Sequence, residues 1–288
     1  MKKIIFGFAL VSLVLSSCTN STETTSQAEI KGVEYDNAFI QIFGKPNSSW
    51  NMGGFKSADM SVSDDVLDLT ELFGTDNSAS AKTNTTRAFS GEDIDWTSGQ
   101  WNVVEQGHVY PGKAKEEIPF KYRILVEDLG SSSKNDMDYN DAVFSVACVK
   151  GKYKVPGTGE NTGYQPGVWL FVQIEAAGGT LPITVDGNEI HKLFGVSTSQ
   201  MVNTEAGKHD AKSSILIVKK VADNITTFDF NNDIPVVVTY ADGSKSVLST
   251  TLTGVPHKLC VPYSHDWASE KVAIDDAFSD WKDILGIK

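Results

Sequence analysis

Apolar residues change their spacing several times along this chain. Tyr35, Phe39, Ile42 and Phe43 recur at intervals of 4, 3 and 1, one face of a short helix that should end at Gly44 and Pro46. A second apolar cluster follows at Val62, Val66, Leu67, Leu69, Leu72 and Phe73, and then a small polar stretch, 76–88, reads as a long loop or linker. From about residue 94 the period becomes 2. Tyr122, Ile124 and Val126 alternate with Arg123, Leu125 and Glu127, while 142–149 and 168–177 are nearly continuous apolar runs of strand length. Further strands are predicted over 215–221, 234–240, 246–252 and 257–261, and Asp186-Gly187 and Asp242-Gly243 mark hairpin turns, because positive φ is cheap there. Short strands without alternating helices predict a mainly β fold, a β-sandwich or jelly-roll-like domain with a small N-terminal α+β region. In the tail the period changes again. Ile274, Phe278, Trp281 and Leu285 are spaced 4, 3 and 4, which predicts one C-terminal amphipathic helix, capped by Asp266 and closing the core.

The start of the chain reads as an address. Lys2 and Lys3 precede an apolar run of 12 residues, Ile4–Leu15, too short to span a bilayer and suited to a signal peptide. Leu15-Ser16-Ser17-Cys18 resembles the lipobox of bacterial lipoproteins. The resemblance implies cleavage before Cys18 and lipid attachment to it; a conventional signal peptide with a chance cysteine is the alternative. Several acyl chains hold stably because each buried methylene contributes about 0.8 kcal/mol. Residues 19–27 are almost all Ser, Thr, Asn and Gln and suit a flexible tether. No later stretch approaches the length of a spanning helix. The expected division is a signal peptide over 1–17, a tether over 18–29, an N-terminal region with linker over 30–93 and the β domain with its C-terminal helix over 94–288.

Composition narrows the partners. With 288 residues, 40% hydrophobic and 22% charged, the chain suits a globular protein and not a disordered one. It carries 37 acids against 25 Lys and Arg, a formal charge of −12 that becomes −14 without Lys2 and Lys3. Such a chain, lacking a basic run, gains little from neutralising phosphates, so nucleic acid is excluded as a partner and anionic membrane is a poor one for the folded part. Excess carboxylate then means plain solubility or divalent cations. Cys148 and Cys260 both sit in apolar runs, and a disulfide and two buried thiols are equally compatible with that setting.

The acid excess is uneven. Between Glu127 and Asp141 there are five acids and one base, Lys134. Glu127 and Asp128 end a strand, the polar loop 130–135 follows, and Asp136, Asp138, Asn140 and Asp141 lead into the next strand. The i, i+2, i+4 spacing can turn several oxygens toward one point in a tight loop, and Ca²⁺ takes six to eight oxygen ligands. Glu127, Asp128, Asp136, Asp138, Asn140 and Asp141 are therefore the candidate metal ligands, with Ca²⁺ as the candidate structural cofactor. The EF-hand pattern fails: from Asp136 as position 1, position 6 is Asp141 in place of Gly and position 12 is Ala147 in place of Glu. Zinc is disfavoured, since no Cys and His cluster accompanies the acids. The competing reading is a set of Asx-turns at a hairpin tip.

Val126-Glu127-Asp128-Leu129 with Asp136-Met137-Asp138-Tyr139-Asn140-Asp141-Ala142-Val143-Phe144 resembles the "FEDL … DxDFNDVVF" signature of LruC-domain lipoproteins, a family of unknown function. Glu175-Ala176-Ala177-Gly178-Gly179-Thr180-Leu181-Pro182-Ile183 and Glu189-Ile190-His191-Lys192-Leu193-Phe194-Gly195-Val196 are similar to its "AAGGTLPL" and "EVHELFGV" blocks. Val202-Asn203-Thr204, Ile234–Val238, Lys258–Pro262, Trp267 and Trp281 continue the likeness, which runs from about residue 119 to the C-terminus, with weaker similarity over 35–50. Val126 replaces the usual Phe. The resemblance implies an envelope lipoprotein, here expected at the outer membrane and exposed on the cell surface, and it supplies no activity.

Other candidates are weaker. Glu189 and His191 would share one face of a strand, without the HExxH spacing of a zinc site, so a hydrogen-bonded strand-edge histidine is the simpler reading. Ala177-Gly178-Gly179-Thr180 lacks the spacing and the lysine of a phosphate loop. Paired acids as glycosidase carboxylates would need a cleft, and crowding favours a metal. Trp169 and Trp281 read as core, while Trp96 and Trp101 are the better candidates for a sugar platform. The expected function is a lipid-anchored, Ca²⁺-stabilised binding or adhesion module for a glycan or protein ligand, without catalysis. The alternatives are a structural subunit of a surface assembly and, with less support, a carbohydrate-active enzyme.

Overall fold

The structure is a computed structural model and describes residues 25–50, 59–68, 94–95, 100–101, 103–105, 118–129, 136–154, 164–208, 215–251 and 254–287. The signal peptide, Cys18, most of the tether, the linker 76–88, the loop 130–135 and Trp96 lie outside these residues, as do the side chains of Val66, Leu67 and Trp101.

Helix α1 spans Gln27–Phe43 and owes its start to Ser26. The Ser26 hydroxyl accepts from the Glu29 amide while Glu29 reaches back to the Ser26 amide, a reciprocal capping box. The helix therefore begins inside the stretch expected to be tether. It stops at Gly44, whose φ of +88° other residues avoid. Tyr35, Phe39 and Phe43 are buried, whereas Ile42, about 100° round from Phe43, is exposed.

The remaining chain is mainly strands. In order they are β1 (Asp59–Ser61), β2 (Ser63–Asp68), β3 (Ile94–Asp95), β4 (Gln100–Trp101), β5 (Val103–Glu105), β6 (Tyr122–Val126), β7 (Ala142–Lys154), β8 (Tyr164–Ala176), β9 (Ile183–Val185) and β10 (Asn188–Glu189). A helical turn α2 (Ile190–Leu193) precedes β11 (Ile215–Ala222) and β12 (Thr227–Asp229), and α3 (Phe230–Asp233) precedes β13 (Val236–Thr239), β14 (Lys245–Leu248) and β15 (Lys258–Pro262). The larger sheet has the order β15-β6-β7-β8-β11-β5, and its consecutive neighbours from β15 to β5 are antiparallel. Strand β2 joins it parallel to β7, beginning at Ser63 opposite Val149, just past the Tyr122–Val146 pair where β6 begins. The smaller sheet is antiparallel, in the order β10-β9-β13-β14. One buried cluster takes Tyr35 and Phe39 from α1, Phe144, Val172 and Leu259 from the larger sheet, and Val236 and Leu248 from the smaller.

Both Asp-Gly pairs turn hairpins. Val185 pairs with Asn188 across a two-residue turn with φ of +48° at Asp186 and +79° at Gly187, the type I′ geometry that suits the strand twist. Asp242-Gly243 lies in the longer loop between Thr239 and Lys245.

Strand β6 departs from the expected in–out alternation, because both of its faces are covered. Arg123 is buried between the rings of Tyr263 and Trp267, 5.1 and 5.2 Å from their centroids. Its Nε donates to Glu175 Oε2 at 2.7 Å, and its Nη1 donates to the His265 carbonyl. Ser145 Oγ donates to the same Glu175 oxygen at 2.7 Å. Burying this ion pair costs desolvation, which hydrogen bonds and ring contacts offset.

The tail also differs. It forms two short helices, α4 (Ile274–Ala277) and α5 (Trp281–Leu285), in place of one long helix, and Phe278 between them is extended. Ser279 and Asp280 favour caps over helix interiors, and the start of α4 is pinned where the Ile274 amide donates to the Met137 carbonyl. Asp266 caps no helix and faces Arg123 instead. Ile274 and Leu285 are fully buried, but Trp281 is only partly so and leans on Phe43. Cys148 and Cys260 are free thiols, both buried, and burial pushes the Cys148 thiol up to about 12.

The core ties α1 to the acidic loop. Tyr35 donates its hydroxyl to the Tyr139 oxygen at 2.6 Å, and Tyr139 donates to the Pro256 carbonyl at 3.0 Å. In Tyr35→Phe the Tyr139 hydroxyl keeps Pro256 and loses its donor. Urea unfolding should show a loss of about 1 kcal/mol; an unchanged midpoint would mean that the pair contributes nothing.

Candidate metal centre

The β6–β7 pairing builds the site. With Val126 opposite Ala142, Glu127 and Asp128 leave β6 where Asp141 enters β7. The Asp128 amide donates to Asp141 Oδ2 at 2.7 Å, and the Tyr139 amide donates to Glu127 Oε2 at 3.3 Å. Met137 and Tyr139 take left-handed backbone conformations, φ +52° and +55°. Each costs about 1 kcal/mol or more, and both side chains are fully buried, which holds them there.

The acids meet as the spacing predicts. Glu127, Asp128 and Asp138 are exposed by only 2%, 2% and 1%, while Asp136 and Asp141 are partly exposed. Two triads, Glu127–Asp136–Asp138 and Glu127–Asp128–Asp141, each bring one oxygen per residue within 4.8 Å of the others. They share Glu127. Burial pushes every one of these groups with a resolved shift upward. Glu127 is held well above the carboxylate range by burial and then by Asp138, Asp128 and Asp136. Asp141 is raised by burial, Asp128, Glu127 and Asp138, and Asp138 is raised to about 7 by burial and Asp136.

Asn140 has a different place from its carboxylate neighbours. Its Nδ2 donates to Asp138 Oδ2 at 3.0 Å and to the Ala268 carbonyl at 3.2 Å. Its Oδ1 is buried without a hydrogen-bond partner and lies 2.1 Å from where a Cβ on Gly178 would stand. The Asn140 amide donates to Asp138 Oδ1 at 3.0 Å, so Asp138 does form an Asx-turn. That turn accounts for Asp138 but not for the gathering of Glu127 and Asp128 beside it.

Residues distant in sequence complete the wall. The Lys271 amide donates to Asp138 Oδ2 at 2.7 Å. Glu270, whose carboxyl is raised by burial and then by Asp136, adds a further acid that no local motif announces. Opposite lies the Gly178-Gly179 turn. The Gly178 amide donates to the Asn140 carbonyl at 3.1 Å. A Cβ on Gly179 would stand 3.0 Å from Asp141 Oδ1 and 3.1 Å from Asp128 Oδ2, so glycine leaves that side of the carboxylates open. Behind the turn His191, fully buried, places Nε2 2.9 Å from the Gly179 carbonyl and Nδ1 2.7 Å from Glu189 Oε1. Glu189 is the N-cap of α2 and His191 lies within it, so the two do not share a strand face; the histidine buttresses the glycine turn.

The triads offer only oxygens, which suits a hard cation and not zinc. Their crowding is tighter than the roughly 5–9.5 Å between glycosidase carboxylates. Among the described residues no helix is long and apolar enough to cross a membrane. In comparisons with known proteins the chain matches no family model, no curated protein and no solved structure.

Proposed function

We propose that this protein is a lipid-anchored surface module of the bacterial outer membrane, stabilised by Ca²⁺ at the acidic loop and acting in binding or adhesion without catalysis. The observation that carries the cation is the burial of Glu127, Asp128 and Asp138 within two carboxylate triads that share Glu127. Neighbouring buried carboxylates cannot all ionise unless a cation joins them. Glu127, Asp128, Asp136, Asp138, Asn140 and Asp141 would hold the ion, and the Nδ2 of Asn140 also positions Asp138. The lipobox-like Leu15–Cys18 and the LruC-like blocks support the anchor and the address. A β-sandwich arrangement of the two sheets, with loops at its ends, would suit ligand display.

Calorimetric titration of Ca²⁺ into chelator-stripped protein should give saturable binding, and absence of heat together with an unmoved Tm would sink the cation. A glycan and matrix-protein array tests the ligand; no signal from the Ca²⁺-loaded protein on a broad array would reject the binding role. One observation favours the second reading, a structural subunit: β14 is an edge strand of the smaller sheet, and its Val247 is 60% exposed. Strand addition at such an edge would give protein crosslinks on cells.

A further inference from the structure

We infer that the outward face of α1 lies on the lipid surface to which Cys18 is attached, an inference that rests on the lipoprotein reading of Cys18. Among the described residues eight large apolar side chains are exposed, and four of them belong to α1: Ile30 at 45%, Val33 at 61%, Ile40 at 37% and Ile42 at 49%. With about 100° of rotation per residue, Ile30, Val33 and Ile40 fall within an arc of roughly 80°. That arc is centred about 140° round from Phe39, the middle of the buried face, with Ile30 opposite it and Ile40 on the flank. The helix is thus apolar on two sides, and the core accounts for one.

Chain length names the occupant. Nine peptide units separate Cys18 from Gln27, a reach of at most about 30 Å. The helix is therefore confined near the anchoring surface whatever path those residues take. Confinement supplies a high effective concentration, so a contact of three side chains too weak to recruit a free protein is enough to orient a tethered one. The α1 N-terminus is fixed to the body, with the Gln27 amide donating to Asp242 at 2.9 Å and the Ala28 amide to Ser244 Oγ at 3.0 Å. A helix lying on lipid would thereby set the orientation of the whole domain. The flanks of the stripe carry Glu29, Glu34 and Asp36, with Lys31 paired to Glu34 at 3.1 Å. This net acidity selects a zwitterionic surface over an anionic one.

The test attaches the mature full chain through Cys18 to a maleimide phospholipid in phosphatidylcholine vesicles, with a benzophenone amino acid at one exposed position at a time. Irradiation should give lipid adducts at positions 30, 33 and 40 in clear excess over positions 201 and 247, exposed elsewhere on the body. The excess should shrink when phosphatidylglycerol is added. Equal yields at all five positions would overturn the inference, and so would protein–protein adducts at 30, 33 and 40, which would assign the stripe to a second copy. Failure of the lipoprotein reading is separate: it would appear as an unlipidated Cys18 in the mass of the protein from its own cells, with the artificial tether still reporting on α1.

Discussion

Stripped of divalent cations, the protein should lose stability as the pH rises from about 4 to about 7, and Ca²⁺ should offset much of that loss. The sign follows from Asp138, raised from 3.8 to about 7 in the fold. Below about 4 the folded and unfolded chains both hold this proton, and the group has no effect on the balance. Above about 4 the unfolded chain releases it while the fold retains it up to about 7, so the unfolded state gains over the whole window. A shift of this size corresponds to several kcal/mol, since each unit is about 1.4 kcal/mol. Glu127 and Asp141 are raised in the same direction, by burial and by the neighbouring acids, and add to the loss. A bound cation replaces the protons and lets the carboxylates ionise together. At free Ca²⁺ of 100 times Kd it adds about 2.7 kcal/mol. Urea unfolding from pH 4.5 to 8, in chelator and in Ca²⁺, measures both. A flat profile in chelator would mean that these acids are not proton-bound in the fold, and coincident profiles would remove the cation. Asp138→Asn gives a paired signature: it removes the titrating group, flattens the chelator profile and weakens the response to Ca²⁺. It also lowers stability at every pH, because both Asp138 oxygens accept N–H bonds and the amide keeps only one of them as an acceptor.

The parts of this molecule that could be read from sequence are those whose cause is local. Helix α1 follows from the spacing of Tyr35, Phe39 and Phe43, and its end from Gly44. The Asp186-Gly187 turn follows from two residues that accept positive φ. The two clusters of acids meet because they flank one antiparallel pair, and the pairing of β6 with β7 needs nothing beyond their own apolar runs. Period alone misled where another segment intervened. Arg123 looked outward by alternation, yet 263–267 cover it. The tail keeps a helical stripe but breaks at Phe278, where a capping pair, Ser279-Asp280, and the bond from Ile274 to Met137 outweigh the periodicity. Glu270 carries no signal in its own neighbourhood, and the patterns around His191 and Gly178-Gly179 do not point to the acidic loop. They reach the site through non-local pairing, and only the close approach of backbone to carboxylate explains why glycines stand there.

That close approach gives the largest single-residue effect. A Cβ on Gly178 would sit 2.1 Å from Asn140 Oδ1, 2.7 Å from the Asn140 carbonyl oxygen and 3.1 Å from its carbon. A side-chain oxygen can swing away, but a carbonyl already holding the Gly178 amide cannot move without displacing the Asp136–Asp141 loop from β8. Gly178→Ala should therefore destabilise by about 3 kcal/mol or more, the upper range for overpacking, and lower Tm by roughly 6–12 °C. Gly179→Ala is the informative neighbour. Its Cβ would meet the ends of side chains, Asp141 and Asp128 at 3.0 and 3.1 Å and Ile183 at 3.2 Å, so the fold can yield by a few tenths of an ångström. The methyl would nevertheless stand against two carboxylates of one triad, and the rise in Tm on adding Ca²⁺ should shrink while the chelator-treated Tm changes little. Gly32→Ala, with nothing within 4 Å and a position inside α1, should stabilise by about 0.5–1 kcal/mol and calibrates the series. If Gly178→Ala melts with the parent protein, the loop is not clamped by the glycine turn. If Gly179→Ala leaves the Ca²⁺ response intact, the open side of the Asp128–Asp141 pair plays no part in holding an ion, and the cation belongs with the Glu127–Asp136–Asp138 triad.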